Sequence, residues 1–148
     1  MKRLTILLFL LLFPSAGFAA EKIKGVNYMV VESQNWQTGE GTGYWMINAK
    51  GVSNNVEGSF EDGAIECHGA GSWDTEGSWG EGICVHSVGD DTRTSSWKRG
   101  KGEELGHWEM LGGTGKYAGI TGQGTYKPTN LPGGRLVSEF DGEITMAE

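Results

Sequence analysis

The chain has 148 residues, with 26 glycines, three prolines, 19 acidic and 12 basic side chains, and a net charge of −7. An acidic surface repels nucleic acid and anionic lipid, which sets aside DNA, RNA and membrane-surface binding. The length suits one domain with a modest core.

Lys2 and Arg3 precede an apolar run from Leu4 to Phe13, which Pro14 ends before small residues lead to Ala19 and Ala20. This is the pattern of a secretory signal peptide. The run is too short to stay in a bilayer as an anchor. Cleavage is expected after Ala19, which puts Gly17 at the −3 position; a cut after Ala20 would put bulky Phe18 there. No cysteine follows the cut, which argues against a lipoprotein. The expected organisation is a signal peptide at 1–19 and a single β-barrel domain at 20–148, periplasmic or secreted, with no membrane anchor. Removing 19 of the 148 residues leaves 129, and losing Lys2 and Arg3 takes the charge from −7 to −9.

Downstream, no segment carries a helical period. Apolar and aromatic residues come in short runs punctuated by Gly, Asn, Asp and Ser, as in all-β sandwiches and barrels. In chain order the expected strands are Val26–Glu32, Gly43–Ala49, a short Asn55–Phe60, Ala64–Trp73, Trp79–Val88, Thr94–Lys98, Gly106–Leu111, Ile120–Lys127 and Leu136–Ile144. Eight or nine strands with short connections can close on themselves and so remove exposed edges. The expected fold is a closed eight-stranded antiparallel β-barrel, in preference to a sandwich.

Two cysteines, Cys67 and Cys84, fit one disulfide in an oxidising compartment, with two buried free thiols as the alternative. If Ala64–Trp73 and Trp79–Val88 form a hairpin about Thr75–Glu76, Cys67 and Cys84 face each other, Ile65 faces His86 and His68 faces Ile83. G-x-W recurs four times, ending at Trp45, Trp73, Trp79 and Trp108. Glycine lets a strand bend, and tryptophan fills the space beside it.

Residues 112–126, GGTGKYAGITGQGTY, invite a phosphate-loop reading that fails. Gly115-Lys116 is followed by Tyr117 rather than Ser or Thr, and Met110 stands where the first P-loop glycine belongs. No helix follows, and the glycine spacing does not fit a dinucleotide fingerprint. A tight connection over Gly112–Gly115 leading into a strand fits better, with Ile120, Gly122, Gly124 and Tyr126 on one face.

This run resembles the signature segment of the allene oxide cyclase and dirigent barrel superfamily, G-G-T-G-x-[FY]-x-G-x-x-G. It is matched by Gly112, Gly113, Thr114, Gly115, Tyr117, Gly119 and Gly122. GICVHSVGDD upstream and LPGGRLVSEFDGEI downstream resemble the flanking segments of exported bacterial relatives. The likeness covers Gly82 to Ile144, and the first half only loosely. It implies an eight-stranded barrel with an apolar cavity, often trimeric, that holds a reactive small molecule in one shape. The acidic and polar cavity residues of the cyclase and the pocket of the dirigent proteins have no assignable counterparts.

The polar candidates are Glu66, His68, His86, His107 and Glu109. Glu66 and His68 share a strand face and can do acid–base work, but alternation favours a solvent-facing pair. His86 shares the cysteine face and reads as a satisfied core histidine. Asp90-Asp91 reads as a turn rather than a calcium site. Neither a metal nor an organic cofactor is expected. Aromatic side chains line ligand pockets in barrels and also fill cores. If a cavity exists, Trp45, Trp97, Trp108 and Tyr126 are the residues expected in it. The leading expectation is a non-catalytic exported barrel that binds an apolar or aromatic small molecule. The alternatives are a cofactor-independent cyclase or isomerase, and a structural or interaction module.

Overall fold

Strict alternation of side chains, continued over unusually long strands, builds this molecule. The computed structural model describes residues 19–147, so the expected signal peptide lies outside the described residues except for Ala19. Eight strands follow in order: β1 (Glu21–Gly39), β2 (Thr42–Glu57), β3 (Gly63–Asp74), β4 (Gly77–Val88), β5 (Asp91–Arg99), β6 (Gly106–Gly113), β7 (Thr121–Leu131) and β8 (Arg135–Thr145). Each pairs antiparallel with the next, and β8 returns to β1, closing the barrel. The closed eight-stranded antiparallel barrel read from the sequence is the fold observed.

Two strand expectations need correction. Asn55–Phe60 is not a separate strand. Asn55 continues β2, and Phe60 lies beyond its end. Gly51 keeps β2 unbroken, because a Cβ there would come within 1.8 Å of the Tyr28 carbonyl oxygen. The bare backbone therefore coils past β1 where a side chain would force it away. The first strand also reaches 19 residues, well past Glu32. Polar Gln34 and Gln37 hide this extension, yet Trp36 faces Tyr44 across the hairpin and carries the ladder to the turn.

The predicted β3–β4 register holds. Cys67 faces Cys84, Ile65 faces His86, and His68 faces Ile83. The two cysteines are bonded, with their Cα atoms 4.0 Å apart.

One end of the barrel is packed shut. Ile23, Phe60, Trp108, Tyr117, Ile120, Phe140 and Ile144 form a buried cluster there. Burying such side chains contributes about 1.5–3 kcal/mol each. The glycine-rich motif makes this base, and its connection differs from the one expected. Gly112 and Gly113 still belong to β6, and the link is a single 3-10 turn, Gly115–Tyr117. Gly115 adopts φ 53°, and a Cβ there would fall 1.6 Å from Asp91 Oδ1, so both conformation and space demand glycine. Thr114 fastens the turn to β5: its N–H donates to the Thr92 carbonyl (2.8 Å), and its Oγ1 accepts the Thr92 N–H (2.9 Å). Lys116 pairs with Glu61, tying the motif to the loop that carries Phe60.

Candidate functional site

The inward positions are odd-numbered on β1, β2, β3 and β5 and even-numbered on β4, β6, β7 and β8. Above the packed base they enclose a lumen of about 430 Å³ that opens at the other end of the barrel. Part of its wall is indole laid over glycine. Trp45 of β2 reaches across β3 and β4, where a Cβ at Gly71 or at Gly80 would meet its ring at 2.4 Å. Trp97 of β5 reaches the opposite way, over Gly82 and Gly69, with corresponding distances of 2.6 and 2.1 Å. Gly69 pairs with Gly82 and Gly71 with Gly80, so four adjacent glycines form the surface beneath both rings. The two indoles are parallel to within 3°, with centroids 6.4 Å apart. One face of each ring is thus occupied by backbone, and the rings line the lumen.

Trp45 Nε1–H donates to Ser78 Oγ at 3.0 Å, which fixes its rotation. Trp108 lies deeper over Gly124 and Gly142, and its Nε1–H is shared between the Thr125 and Asp141 carbonyls, each at 3.1 Å. Tyr126 covers Gly106 and meets Trp97 edge-on, with centroids 6.3 Å apart at 81°. Burial, partly opposed by the charge of Arg99, pushes the Tyr126 hydroxyl up to about 12, so it stays protonated. Trp45, Trp97, Trp108 and Tyr126, the four residues chosen from the sequence, are therefore all placed on the lumen. Tyr28 instead points outward, and Trp79 lies outside beneath Lys101, whose Nζ is 4.7 Å from the ring centroid. The disulfide also faces the lumen, with Cys67 Sγ 3.9 Å from Met29 Sδ.

Below the aromatic wall lies a polar band that the sequence reading missed. Asn27, Ser95, His86 and Ser138 are buried and line the lower lumen. Asn27 Oδ1 and His86 Nδ1 find no partner among the described residues. The expectation of a satisfied core histidine is corrected on this point: His86 is 7% exposed, but its Nδ1 has no partner among the described residues. Burial first, and the charge of Arg93 second, pull its imidazole down to about 3, so it is neutral at physiological pH.

Arg93, its cross-strand partner, is 0% exposed. Its guanidinium lies 3.9 Å from the Phe60 ring centroid and 5.2 Å from that of Tyr117, and it donates to the Tyr117 hydroxyl at 3.3 Å. Phe60 and Tyr117 meet edge-on, so two aromatic faces stand where a carboxylate would be expected. Burial lowers the arginine's pKa, and Tyr117 opposes that shift.

The remaining polar candidates lie outside the barrel. Glu66 lies on the outer face, partly exposed, between Lys50 (3.1 Å) and His68 (3.0 Å), and Lys50 foremost holds its carboxyl below the usual range. His107 and Glu109 are exposed on the outer face of β6. Asp90 sits in the β4–β5 turn, and Asp91 opens β5. Among the described residues no group of three or more His, Cys, Asp or Glu side chains gathers to hold a metal, and no helix is long and apolar enough to cross a membrane.

Solved structures of dirigent proteins share the barrel. The pterocarpan synthase dirigent protein GePTS1 superposes with a TM-score of 0.56 at 13% identity, over 93% of this chain and 96% of that one. The pterocarpan synthase dirigent protein PsPTS1 gives 0.55 at 12%, over 92% and 99%. At such identities the likeness is one of fold, and the fold is a dirigent-like barrel. No family model matches the sequence, and no curated protein matches it.

Proposed function

We propose that this is an exported binding protein whose lumen holds a planar, largely apolar aromatic molecule without transforming it. The observation that carries this reading is the parallel Trp45–Trp97 pair. Rings backed by glycine present their free faces to a lumen large enough for a small ligand. Stacking on such a surface adds roughly 0.5–1.5 kcal/mol beyond burial alone. The disulfide is compatible with export to an oxidising compartment. Kinship with allene oxide cyclases and exported bacterial relatives, read from Gly112–Gly122, belongs to the same proposal. So does assembly as a homotrimer, for which exposed Trp36, Tyr44 and Met46 on the outer face of β1 and β2 offer apolar surface.

A cofactor-independent cyclase or isomerase is the second reading. The inward Tyr126 hydroxyl favours it, as an ionisable group able to polarise a bound oxygen. Two features favour binding alone. Among the described residues the lumen lining contains no Asp or Glu, and His86, pulled down to about 3, is a poor proton acceptor.

The test is titration of the mature protein with planar aromatic compounds, followed by tryptophan fluorescence, alongside mass spectrometry of extracts from freshly purified protein. Saturable quenching that weakens in Trp45→Ala supports the reading. No quenching across a broad lipophile panel, and no co-purified small molecule, would sink it.

A further inference from the structure

On a chain with 19 acidic residues the lumen is the exception in sign. Its ionisable lining is Tyr126, neutral His86, Arg99 and Arg135. Arg135 is exposed, and its Nε–H already donates to the Pro132 carbonyl at 2.9 Å. Arg99 is different. It ends β5 two residues beyond Trp97, on the same inward face and about 7 Å further toward the mouth. Its charge acts on Tyr126, the ring that abuts Trp97. Among the described residues, Arg99 makes no ion pair and its side chain no hydrogen bond.

The acidic side chains nearest along the chain are engaged elsewhere. Glu103 Oε2 accepts the Gly100 N–H at 2.8 Å, and Glu104 pairs with Lys127. Asp74 and Glu76, on the neighbouring turn, both hold Lys101. A guanidinium with no partner among the described residues therefore lines the same lumen as the Tyr126 phenol, at the edge of an aromatic surface. Both groups donate hydrogen bonds, and no carboxylate in the lining competes for them.

We propose that the mouth of the lumen is a carboxylate site. Arg99 and the Tyr126 hydroxyl receive the acid group of an aromatic carboxylic acid whose ring lies against Trp45 and Trp97. This rests on the aromatic-binding reading above and specifies the charge and orientation of its ligand. The ring enters the lumen and the acid group stays at the opening, where desolvation costs least. The deeper polar atoms of Asn27 and His86 then meet the far end of the ligand, which makes a hydrogen-bonding substituent there an advantage.

The test uses two near-isosteric probes, 2-naphthoate and its neutral amide, titrated calorimetrically into the mature protein at pH 7. The expected result is naphthoate binding at least about 10-fold tighter than the amide. Arg99→Gln should bring the two within about 2-fold of each other, Arg99→Lys should keep most of the preference, and Tyr126→Phe should reduce it. Equal affinities in the unmodified protein, or a preference unchanged in Arg99→Gln, overturn the carboxylate site and leave the aromatic-binding reading standing. If neither probe binds, the carboxylate site falls, and the lipophile panel above decides the aromatic-binding reading separately.

Discussion

The base and the mouth of this barrel are made from the same residue types, used for different physical ends. At the base, glycine shapes the backbone: Gly115 turns the chain where no side chain could follow, and Tyr117 (1% exposed) is driven into the core beside Arg93. At the mouth, glycine clears space: Gly69, Gly71, Gly80 and Gly82 lie in regular strand and serve as the bed for two indoles. The Tyr117 ring at the base is enclosed on all sides and contributes stability. One at the mouth is enclosed on one side only and has a face to spare. The contrast teaches that the wall was fitted to rings while the lumen between them stayed unfilled.

The sharpest way to break this contrast is at the base. Tyr117→Ala should cost about 3–5 kcal/mol in denaturant unfolding, since it opens a cavity in a packed cluster and strips Arg93 of an aromatic partner. A loss below about 1 kcal/mol would mean the base is not the stabilising end.

Next comes the disulfide, midway along the lumen wall. The double variant C67A/C84A should lose about 3 kcal/mol, as expected for a closed loop of this length. Comparing its denaturation midpoint with that of the reduced parent protein separates the bond from the packing of its sulfurs.

His86 gives a pH signature of the lower lumen. Its folded pKa, about 3, lies below its unfolded value of 6.5. Above pH 6.5 both states are neutral there and the residue has no pH effect. As pH falls from 6.5 the unfolded chain takes up a proton that the folded barrel refuses, so stability declines by about 1.4 kcal/mol per pH unit. From pH 6.5 to 5 carboxylates stay largely ionised, so the loss there, about 2 kcal/mol, isolates His86. His86→Phe should flatten stability across that window, and an unchanged slope would refute the assignment.

The smallest change tests the mouth. Trp45→Phe, which shortens the ring and removes the bond to Ser78, should weaken binding of a planar aromatic probe by about 1 kcal/mol while shifting unfolding by no more than that. A larger effect on stability than on affinity would erase the distinction between the two ends.

Much of the barrel was legible because alternation is a local rule. The facing of Cys67 and Cys84 followed from the hairpin midpoint alone, and the four aromatics on the lumen followed from their positions within strands. The same rule carried information that went unread. If Trp97 points inward, then Arg93, Ser95 and Arg99 must as well, because β5 has no bulge within that span on its β4 side. Charged and hydroxyl side chains read as surface by habit, so parity was the only available signal. Phe60 was misplaced for a different reason. Its aromatic ring suggested a strand, but it is tertiary packing against Tyr117 and Arg93 that holds it inside. The length of β1 was obscured because Gln34 and Gln37 have low strand propensity, which the long β2 partner overrides.

The indole-over-glycine wall also constrains how this sequence can diverge. Each tryptophan imposes a shadow on two neighbouring strands, and each shadowed glycine would clash if it grew while the ring remained. Trp45 with Gly71 and Gly80, Trp97 with Gly69 and Gly82, and Trp108 with Gly124 and Gly142 are thus sterically coupled triplets. Trading an indole for a small side chain relieves only part of that constraint, because a Cβ at Gly71, Gly82 or Gly124 would still come within 2.0 to 2.1 Å of a carbonyl oxygen on the neighbouring strand, so the lumen can be resculpted there only if the strands shift as well.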